Sequence, residues 1–174
     1  MRLNLFWKLG FAFFALLIAV LLPVDYYAER NLRRDYERAG FDQLSAIAHI
    51  ALASPPPASS LSTTSRVTSP ELREWLTRMA ASGARVTVIT AEGLVLADSE
   101  SDPQTMENHA GRPEIRDALA KGDGLSVRHS VTINRDLMYY AVRLSMPAGS
   151  PVVLRFALPL RMVEDEVRSE EHTS

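Results

Sequence analysis

The stretch from Arg85 to Ala97, RVTVITAEGLVLA, decides the fold because its apolar residues recur with the two-residue period of a β-strand. Two short apolar runs, RVTVIT at 85–90 and LVLA at 94–97, flank the tripeptide Ala91-Glu92-Gly93. A three-residue loop that ends on glycine is typical of a β-hairpin. The stretch therefore predicts two antiparallel strands in the middle of the chain.

Three further strands are predicted after this hairpin. The first alternates apolar and polar residues, with Leu125, Val127, Val131 and Ile133 against Ser126, Arg128, Ser130 and Thr132. The second is LMYYAVRL at 137–144, after a turn at 134–136, and the third is VVLRFAL at 152–158, after the Pro- and Gly-containing segment 147–151. Because their connections are short, these three strands are expected to form an antiparallel meander.

Two helices are predicted beside these strands. Ser69 caps the first, which starts at Pro70 and stops at Gly83. Its apolar stripe comprises Leu72, Trp75, Leu76 and Met79. Pro113 opens the second helix, which ends at Gly122 and turns Ile115, Ala118 and Leu119 inward. Five strands with helices packed to one side of the sheet predict an α+β domain.

The N-terminal part of the chain has the composition of a transmembrane helix. Residues 9–24 are uncharged and include FAFFALLIAVLLPV, a length near the lower limit of about 17 residues for a bilayer span. Arg2 and Lys8 precede the run, which predicts a cytoplasmic N-terminus and an extracytoplasmic location after Asp25. A cleaved signal peptide is the alternative, but Tyr26 is a poor −3 residue for cleavage after Ala28. We expect an uncleaved signal anchor.

A long juxtamembrane helix is predicted after the anchor, because residues 29–53 are helix formers with Gly40 as the one weak point. The following segment is rich in Pro, Ser and Thr and predicts an irregular linker. The predicted organisation is a cytoplasmic N-terminus at 1–8, an anchor at 9–24, a juxtamembrane helix at 25–53, a linker at 54–69, a folded domain at 70–160 and the start of an exit helix at 161–167. Residues 168–174, RSEEHTS, do not continue the helical pattern before them. They resemble one reading frame of a common sequencing adapter. We expect that tail to be non-native and the chain to be an N-terminal fragment.

Composition excludes several classes of function. Residues 25–167 carry 16 Arg and Lys against 19 Asp and Glu, without a basic stripe, so nucleic acid is not an expected partner. The chain has no cysteine, which excludes disulfides, thiolate zinc sites and cysteine nucleophiles. Its four histidines show no HExxH or comparable spacing. We therefore predict no catalytic residues, no metal and no cofactor in this chain.

Several ordered segments between Arg85 and Leu160 resemble the extracytoplasmic PAS-like (PDC-type) sensor domain of bacterial membrane histidine kinases, especially the phosphate-regulon-like group. They are RVTVI at 85–89, GLVLADS at 93–99, MENH at 106–109, RPEI at 112–115, RHS at 128–130, YYA at 139–141 and LR at 154–155. The resemblance implies an antiparallel five-stranded PAS-like sheet with flanking helices. It also implies a second membrane span, a HAMP-type relay and a kinase module, none of which occurs in this chain.

The resemblance therefore implies the signal-sensing input part of a two-component sensor kinase. Such a protein is expected to be a homodimer in the bacterial inner membrane, with its sensor domain periplasmic or extracellular. Its response regulator is reached through the kinase region, and its stimulus is a small molecule, an ion or a protein. Two alternatives remain open: the same domain serves another receptor output, or the chain is a single-span anchored binding or assembly protein.

Six residues are candidate ligand-binding residues: Asp98, Asn108, His109, Arg112, Arg128 and Tyr139. A structural role is favoured for Asn108 and His109, whose side chains can satisfy backbone groups before the second helix. Arg112 can donate to an anionic ligand or to Asp98. The acidic loop 98–102 alternates carboxylates like some calcium loops but lacks the turn glycine and the distal glutamate, which favours a solvated loop.

Two further positions follow from strand alternation. His129 lies between Val127 and Val131 on the apolar face of its strand, so we expect a core residue, or a pH-sensitive switch if it is buried against a carboxylate. Tyr139 and Tyr140 point to opposite faces of the sheet, so at most one of them lines a pocket.

Overall fold

Five antiparallel strands form one sheet in the order β2-β1-β5-β4-β3. The strands are β1 (Arg85–Thr90), β2 (Val95–Asp98), β3 (Asp123–Ser130), β4 (Arg135–Leu144) and β5 (Val152–Pro159). Three α-helices accompany them: α1 (Leu5–Ala53), α2 (Pro70–Ala80) and α3 (Pro113–Lys121). The computed structural model describes residues 5–61, 69–130, 135–146 and 149–160. The predicted exit helix at 161–167 and the tail at 168–174 lie outside these ranges.

The chain divides into two units, Met1–Tyr36 and Glu37–Ser174. In the first unit, α1 is apolar, and its described side chains from Trp7 to Tyr36 are exposed. By length and composition, this part of α1 could cross a membrane. Near its polar end, Tyr26 and Tyr27 make an edge-to-face ring contact, and Arg30 donates a hydrogen bond to the Tyr26 hydroxyl.

In the second unit, β5 is the central strand of the sheet, with β1 on one side and β4 on the other. β1 and β5 pair from Arg85 opposite Ala157 to Thr90 opposite Val152. Both faces of β5 are covered, since Val152–Ala157 are all buried, which explains its nearly continuous apolar sequence. β4 joins β5 and β3 in the predicted antiparallel meander, which is confirmed.

One face of the sheet packs against the C-terminal part of α1 and against α2. Leu44, Ala48 and Ala51 of α1 are buried there with Val86, Leu154 and Phe156 of the sheet. Ser69 caps α2 by accepting from the Leu72 N–H, as predicted, and the buried Trp75 donates its indole N–H to the Ser54 carbonyl at 2.7 Å. Gly40 gives the Met138 side chain room beside α1, because a Cβ atom at Gly40 would overlap that side chain.

Helix α3 covers the opposite face. Ile115 and Ala118 pack with Ile89, Ala141 and Val153. The expectation that the helices pack to one side is therefore wrong. The central strands bury both of their faces, and a sheet with two buried faces requires helices on both sides.

The predicted local boundaries agree closely with the structure. β1 has the predicted ends, β2 is shifted by one residue, and α3 runs from Pro113 to a C-cap at Gly122. The hairpin loop closes at Gly93, whose φ of 85° suits glycine and whose N–H donates to the Thr90 carbonyl. The predicted strand residues 131–133 lie outside the described residues. β4 begins at Arg135, two residues before its predicted start, so the predicted turn at 134–136 is wrong at positions 135 and 136.

Candidate functional site

Nine polar side chains gather on the sheet face that α3 covers. We call them the polar cluster: Arg85, Thr87, Asp98, His109, Glu114, Ser126, Arg128, Tyr139 and Arg155. Alternation along the strands brings seven of them to one face, Glu114 reaches that face from α3, and the charge of Arg155 acts on His109 in the preceding loop. Arg155, for example, lies between Val153 and Ala157, which pack on this face, and Tyr139 lies between Leu137 and Ala141. The cluster therefore interrupts an otherwise apolar layer.

Glu114 is the buried anion of the cluster. Its position in the first turn of α3 places the carboxylate against the sheet, where the side chain has no exposure to solvent. The Ser126 hydroxyl donates to Oε2 at 2.7 Å, and Arg128 Nη2 donates to Oε1 at 3.0 Å. Arg155 Nη1 lies 3.8 Å from the same Oε1. Two cations and a hydroxyl thus compensate the loss of hydration of one carboxylate.

A second chain of polar contacts leads from Arg155 towards the sheet edge. Arg155 Nη2 donates to Thr87 Oγ1 at 3.1 Å, and the Thr87 hydroxyl donates to Asp98 Oδ2 at 2.7 Å. Arg85 Nε also donates to the Asp98 carboxylate, at 3.1 Å. The cluster therefore links β5, β1 and β2 in addition to α3 and β3.

The Tyr139 ring supports both inner guanidinium groups. The Cζ atom of Arg128 lies 4.3 Å from the ring centroid, and that of Arg155 lies 5.2 Å from it. A ring face attracts cations within about 6 Å of its centroid, most strongly where water is excluded. Tyr139 therefore holds two like-charged side chains close together. The prediction that only one of the two adjacent tyrosines faces such a site agrees with Tyr140, whose hydroxyl donates instead to Asp123.

His109 lies in the loop that precedes α3, where the charge of Arg155 acts on it. The residue is buried, and its backbone N–H donates to the Gly93 carbonyl at 2.8 Å. Burial, and then the charge of Arg155, lower the pKa of His109 to about 4, although a hydrogen bond to the Glu107 backbone opposes the shift. The imidazole is therefore neutral near pH 7.

Burial also lowers the pKa of the Arg155 guanidinium to about 10, against the opposing effect of Glu114. Arg155 therefore keeps its charge at neutral pH with its side chain only 5% exposed. Among the described residues, three buried side-chain nitrogens have no hydrogen-bond partner: His109 Nδ1, Arg128 Nε and Arg155 Nε. A buried N–H group without a partner is costly, so the two arginine Nε groups lower the stability of the cluster.

The structure places four of the six predicted site residues in the cluster, namely Asp98, His109, Arg128 and Tyr139. Asn108 instead braces the loop: its Nδ2 donates to the Glu92 carbonyl, and its Oδ1 accepts from the Ala110 N–H. Arg112 occupies the N-cap of α3, and its charge contributes to the lowered pKa of His109. The Asp98 carboxylate, one of the two partners considered for Arg112, is engaged by Arg85 and Thr87.

The most buried members of the cluster were not among the predicted site residues. Glu114 and Arg155 are 0% and 4% exposed. For Arg155 a signal was present, because one arginine stands inside the otherwise apolar run VVLRFAL. Glu114 had no comparable signal, since an acidic residue in the first turn of a helix is ordinarily explained by the helix dipole.

The side chain of Asp98 holds the acidic loop 98–102 together through hydrogen bonds to its backbone. Asp98 Oδ1 accepts from the backbone N–H groups of Glu100 and Ser101, both at 2.9 Å, while Asp102 caps the 3₁₀ turn Pro103–Thr105. Within the described part of the chain, no group of three or more His, Asp or Glu side chains is arranged to hold a metal ion.

The expectation that His129 is a core residue is wrong. Its side chain is 54% exposed, and Nδ1 lies 3.0 Å from Asp136 Oδ1 on the neighbouring strand. The face was predicted correctly, because Val127 on the same side packs against the core. However, β3 is one of the two edge strands of the described sheet, and Leu125 on this side is likewise 54% exposed.

Comparison with known proteins identifies the fold. No protein-family model and no curated protein sequence matches the chain. In structure it is similar to the sensor domain of the V. cholerae histidine kinase DctB, with a TM-score of 0.65 and 17% identity. The match covers 85% of this chain and 59% of the DctB chain, so this chain spans about three fifths of the length of that sensor domain.

A weaker similarity is to the ligand-binding domain of the Campylobacter jejuni chemoreceptor Tlp3 in complex with 4-methylisoleucine. The TM-score is 0.42 at 15% identity, and the match covers 74% of this chain and 60% of that one. A score at this level is too low to support an argument. The similarity to the DctB sensor domain and the strand order confirm the predicted α+β PAS-like fold. This is the PDC-type fold of extracytoplasmic sensor domains.

Proposed function

We propose that this chain is the extracytoplasmic signal-sensing input part of a bacterial membrane sensor histidine kinase of the phosphate-regulon-like group. The observation that carries the proposal is a buried, charged cluster under α3 in a domain with the fold of the DctB sensor domain. An interior that only had to be stable would be better served by apolar side chains, because a buried ion pair seldom adds net stability. A polar site inside a sensor fold is suited to ligand recognition.

The proposal places the N-terminal part of α1 in the inner membrane, with the N-terminus in the cytoplasm and the sensor domain in the periplasm or outside the cell. Its apolar composition and the flanking Arg2 and Lys8 support this orientation. The proposed protein is also a homodimer.

In this proposal, Arg128, His109, Tyr139 and Asp98 form or support the ligand site, and Asn108 and Arg112 position the loop and helix around it. A ligand changes the signal only if it binds two arrangements of the domain with different affinity. The cluster is suited to such a role because it joins α3 to β5, and β5 ends at Pro159, just before the predicted exit helix. A small displacement of β5 would then be passed to a second membrane span and a kinase module that phosphorylates a response regulator.

The first experiment is to sequence the source gene through the codon for Val167 on an independent template. A second apolar span followed by a histidine-kinase module is the expected result, with RSEEHTS replaced by other sequence. A native stop codon after this tail would overturn the kinase assignment and favour a single-span anchored binding protein. A span followed by a different output module would retain the sensing role and change only the output.

The second experiment tests the site in the resulting full-length protein. Autophosphorylation in membrane vesicles is compared for the wild type, Glu114→Gln and the matched change Asp117→Asn, which lies one turn further along α3 and is half exposed. Glu114→Gln is expected to shift the basal kinase activity, because it uncouples α3 from β3 and β5, whereas Asp117→Asn is expected to leave it unchanged. Equal activity of all three proteins would contradict a signalling role for the cluster.

A further inference from the structure

A long loop, residues 99–112, connects β2 to α3, and we call it the strap. The structure describes the strap along its whole length, and His109 is its one buried residue. Met106 packs partly buried against the apolar layer under α3, while most of the other strap residues are exposed. A surface segment with few buried contacts opens more easily than the core of a domain. The closed position of the strap therefore depends strongly on the burial of one histidine.

Hydrogen bonds hold the strap at both of its ends. At the β2 end, the Asp98 carboxylate accepts from two backbone N–H groups of the strap. At the α3 end, the His109 N–H donates to the Gly93 carbonyl and Asn108 Nδ2 donates to the Glu92 carbonyl, both at 2.8 Å. Opening at the α3 end breaks these two bonds and exposes His109, while the bonds to Asp98 are kept.

The surroundings of His109 suit a neutral imidazole and disfavour a charged one. The charged groups that face it are Arg155 on β5 and Arg112 and Glu114 at the start of α3. Glu114 is the one anion among them, and two arginines already contact its carboxylate. Burial and the charge of Arg155 lower the pKa of His109 to about 4, and a hydrogen bond to the Glu107 backbone opposes this only in part. A proton on His109 therefore costs free energy as long as the strap is closed.

We propose that the strap is released by acid: neutral His109 keeps its α3 end on the β1–β2 hairpin, and protonation of the imidazole moves that end into solvent. An imidazolium in water regains its hydration and leaves the two arginine charges. The inference rests on the proposed sensing function only for its consequence, which is that acidification is a stimulus. The release itself is a property of this domain, and it removes one member from the polar cluster.

The direction of the pH effect follows from the two positions of the histidine. In the released strap, the pKa of His109 returns to its ordinary value of 6.5, above the value of about 4 in the closed strap. Between these two values the released form binds the extra proton, so acidification favours release by up to about tenfold per pH unit. Above this range the imidazole is neutral in both forms, and below it both forms carry the proton.

Hydrogen exchange of the full chain in detergent micelles tests the release. The rates are expressed as protection factors, which removes the intrinsic pH dependence of amide exchange. The amides of His109 and Ala110 are expected to lose up to about tenfold in protection per pH unit between pH 6.5 and about 4. They should also be less protected than the amides of β5 at every pH, because the release is local. Protection that does not change with pH, or that equals the protection of β5, would overturn the inference.

Three variants test the assignment to His109. His109→Gln should remove the pH dependence of strap protection, whereas His129→Gln, at an exposed position, should retain it. Arg112→Gln removes one of the two cations that face His109, and the Arg112 side chain makes no capping hydrogen bond to α3. This variant should therefore move the loss of protection to higher pH.

The same pH profile in the wild type and His109→Gln would contradict the assignment. If His109→Gln does not fold, an unshifted profile in Arg112→Gln contradicts it instead.

The outcome is separable from the proposed function. If the strap is released as expected but autophosphorylation of the full-length protein is the same at neutral and acidic pH, the release stands and acidification is rejected as a stimulus. If the full-length protein responds to another stimulus and the strap keeps its protection in acid, the inference fails and the sensing function stands.

Discussion

Glu114 in the first turn of α3 accepts a 3.0 Å hydrogen bond from Arg128 on β3. The two residues lie on separate elements, so the apolar periodicity of neither element indicates the pair. The contact ties α3 to the edge of the sheet through a carboxylate that has no solvent exposure. It makes the stability of the domain depend on a charge pair at the centre of its candidate site.

Glu114→Ala is expected to lower the free energy of unfolding by about 3 kcal/mol, because it leaves two guanidinium groups and a hydroxyl without their shared acceptor. Chemical denaturation of the full chain in micelles measures the change. Asp117→Ala on the same helix removes only an exposed pair with Lys121 and is expected to cost no more than about 0.5 kcal/mol. Similar losses in the two variants would show that Glu114 is not specially stabilised.

Tyr139→Leu is expected to destabilise the domain by about 1–2 kcal/mol, since it removes the ring face beneath Arg128 and Arg155 while keeping an apolar side chain. Tyr139→Phe retains the ring and should stay within about 0.5 kcal/mol of the wild type. The comparison separates the ring from the hydroxyl. Equal losses in both variants would assign the effect to the hydroxyl.

The stability of the domain is expected to fall between pH 6.5 and about 4 because of His109. Its folded pKa of about 4 lies below the ordinary 6.5, so in this range the unfolded chain binds the extra proton and acidification favours unfolding. The contribution is at most about 1.4 kcal/mol per pH unit.

Denaturation curves of the wild type and His109→Gln across this range measure that contribution. The variant should lose this part of the pH dependence, whereas His129→Gln, at an exposed position, should retain it. The same slope in wild type and His109→Gln would assign the acid sensitivity to other groups.

Gly93→Ala is expected to be clearly more destabilising than Gly83→Ala. Both glycines have positive φ, 85° and 84°, so both substitutions carry a similar backbone cost of about 1 kcal/mol. A Cβ atom at Gly93 would in addition collide with Ala110 and Asn108, whereas one at Gly83 meets open space. The difference in free energy of unfolding between the two variants reports how tightly the loop carrying His109 is held, and equal values would show that the loop yields freely.

The sequence by itself determined the local structure of this protein. The ends of β1, the Ser69 cap and Pro70 start of α2, and the Pro113 start and Gly122 end of α3 were predicted, since each depends on residues within one turn or hairpin. The positions of Tyr139 and Tyr140 on opposite faces also followed from the period of a strand.

Only the tertiary structure decided what those elements enclose. The order β2-β1-β5-β4-β3 puts β5 at the centre and β3 at an edge, so Arg155 is buried while His129 is exposed, although each alternates with apolar residues in its own strand. Packing of α3 on the second face then brings Glu114 to Arg128 and Arg155. Contacts between residues on separate strands and helices depend on strand order and packing, and the local periodicity of a sequence does not contain that information.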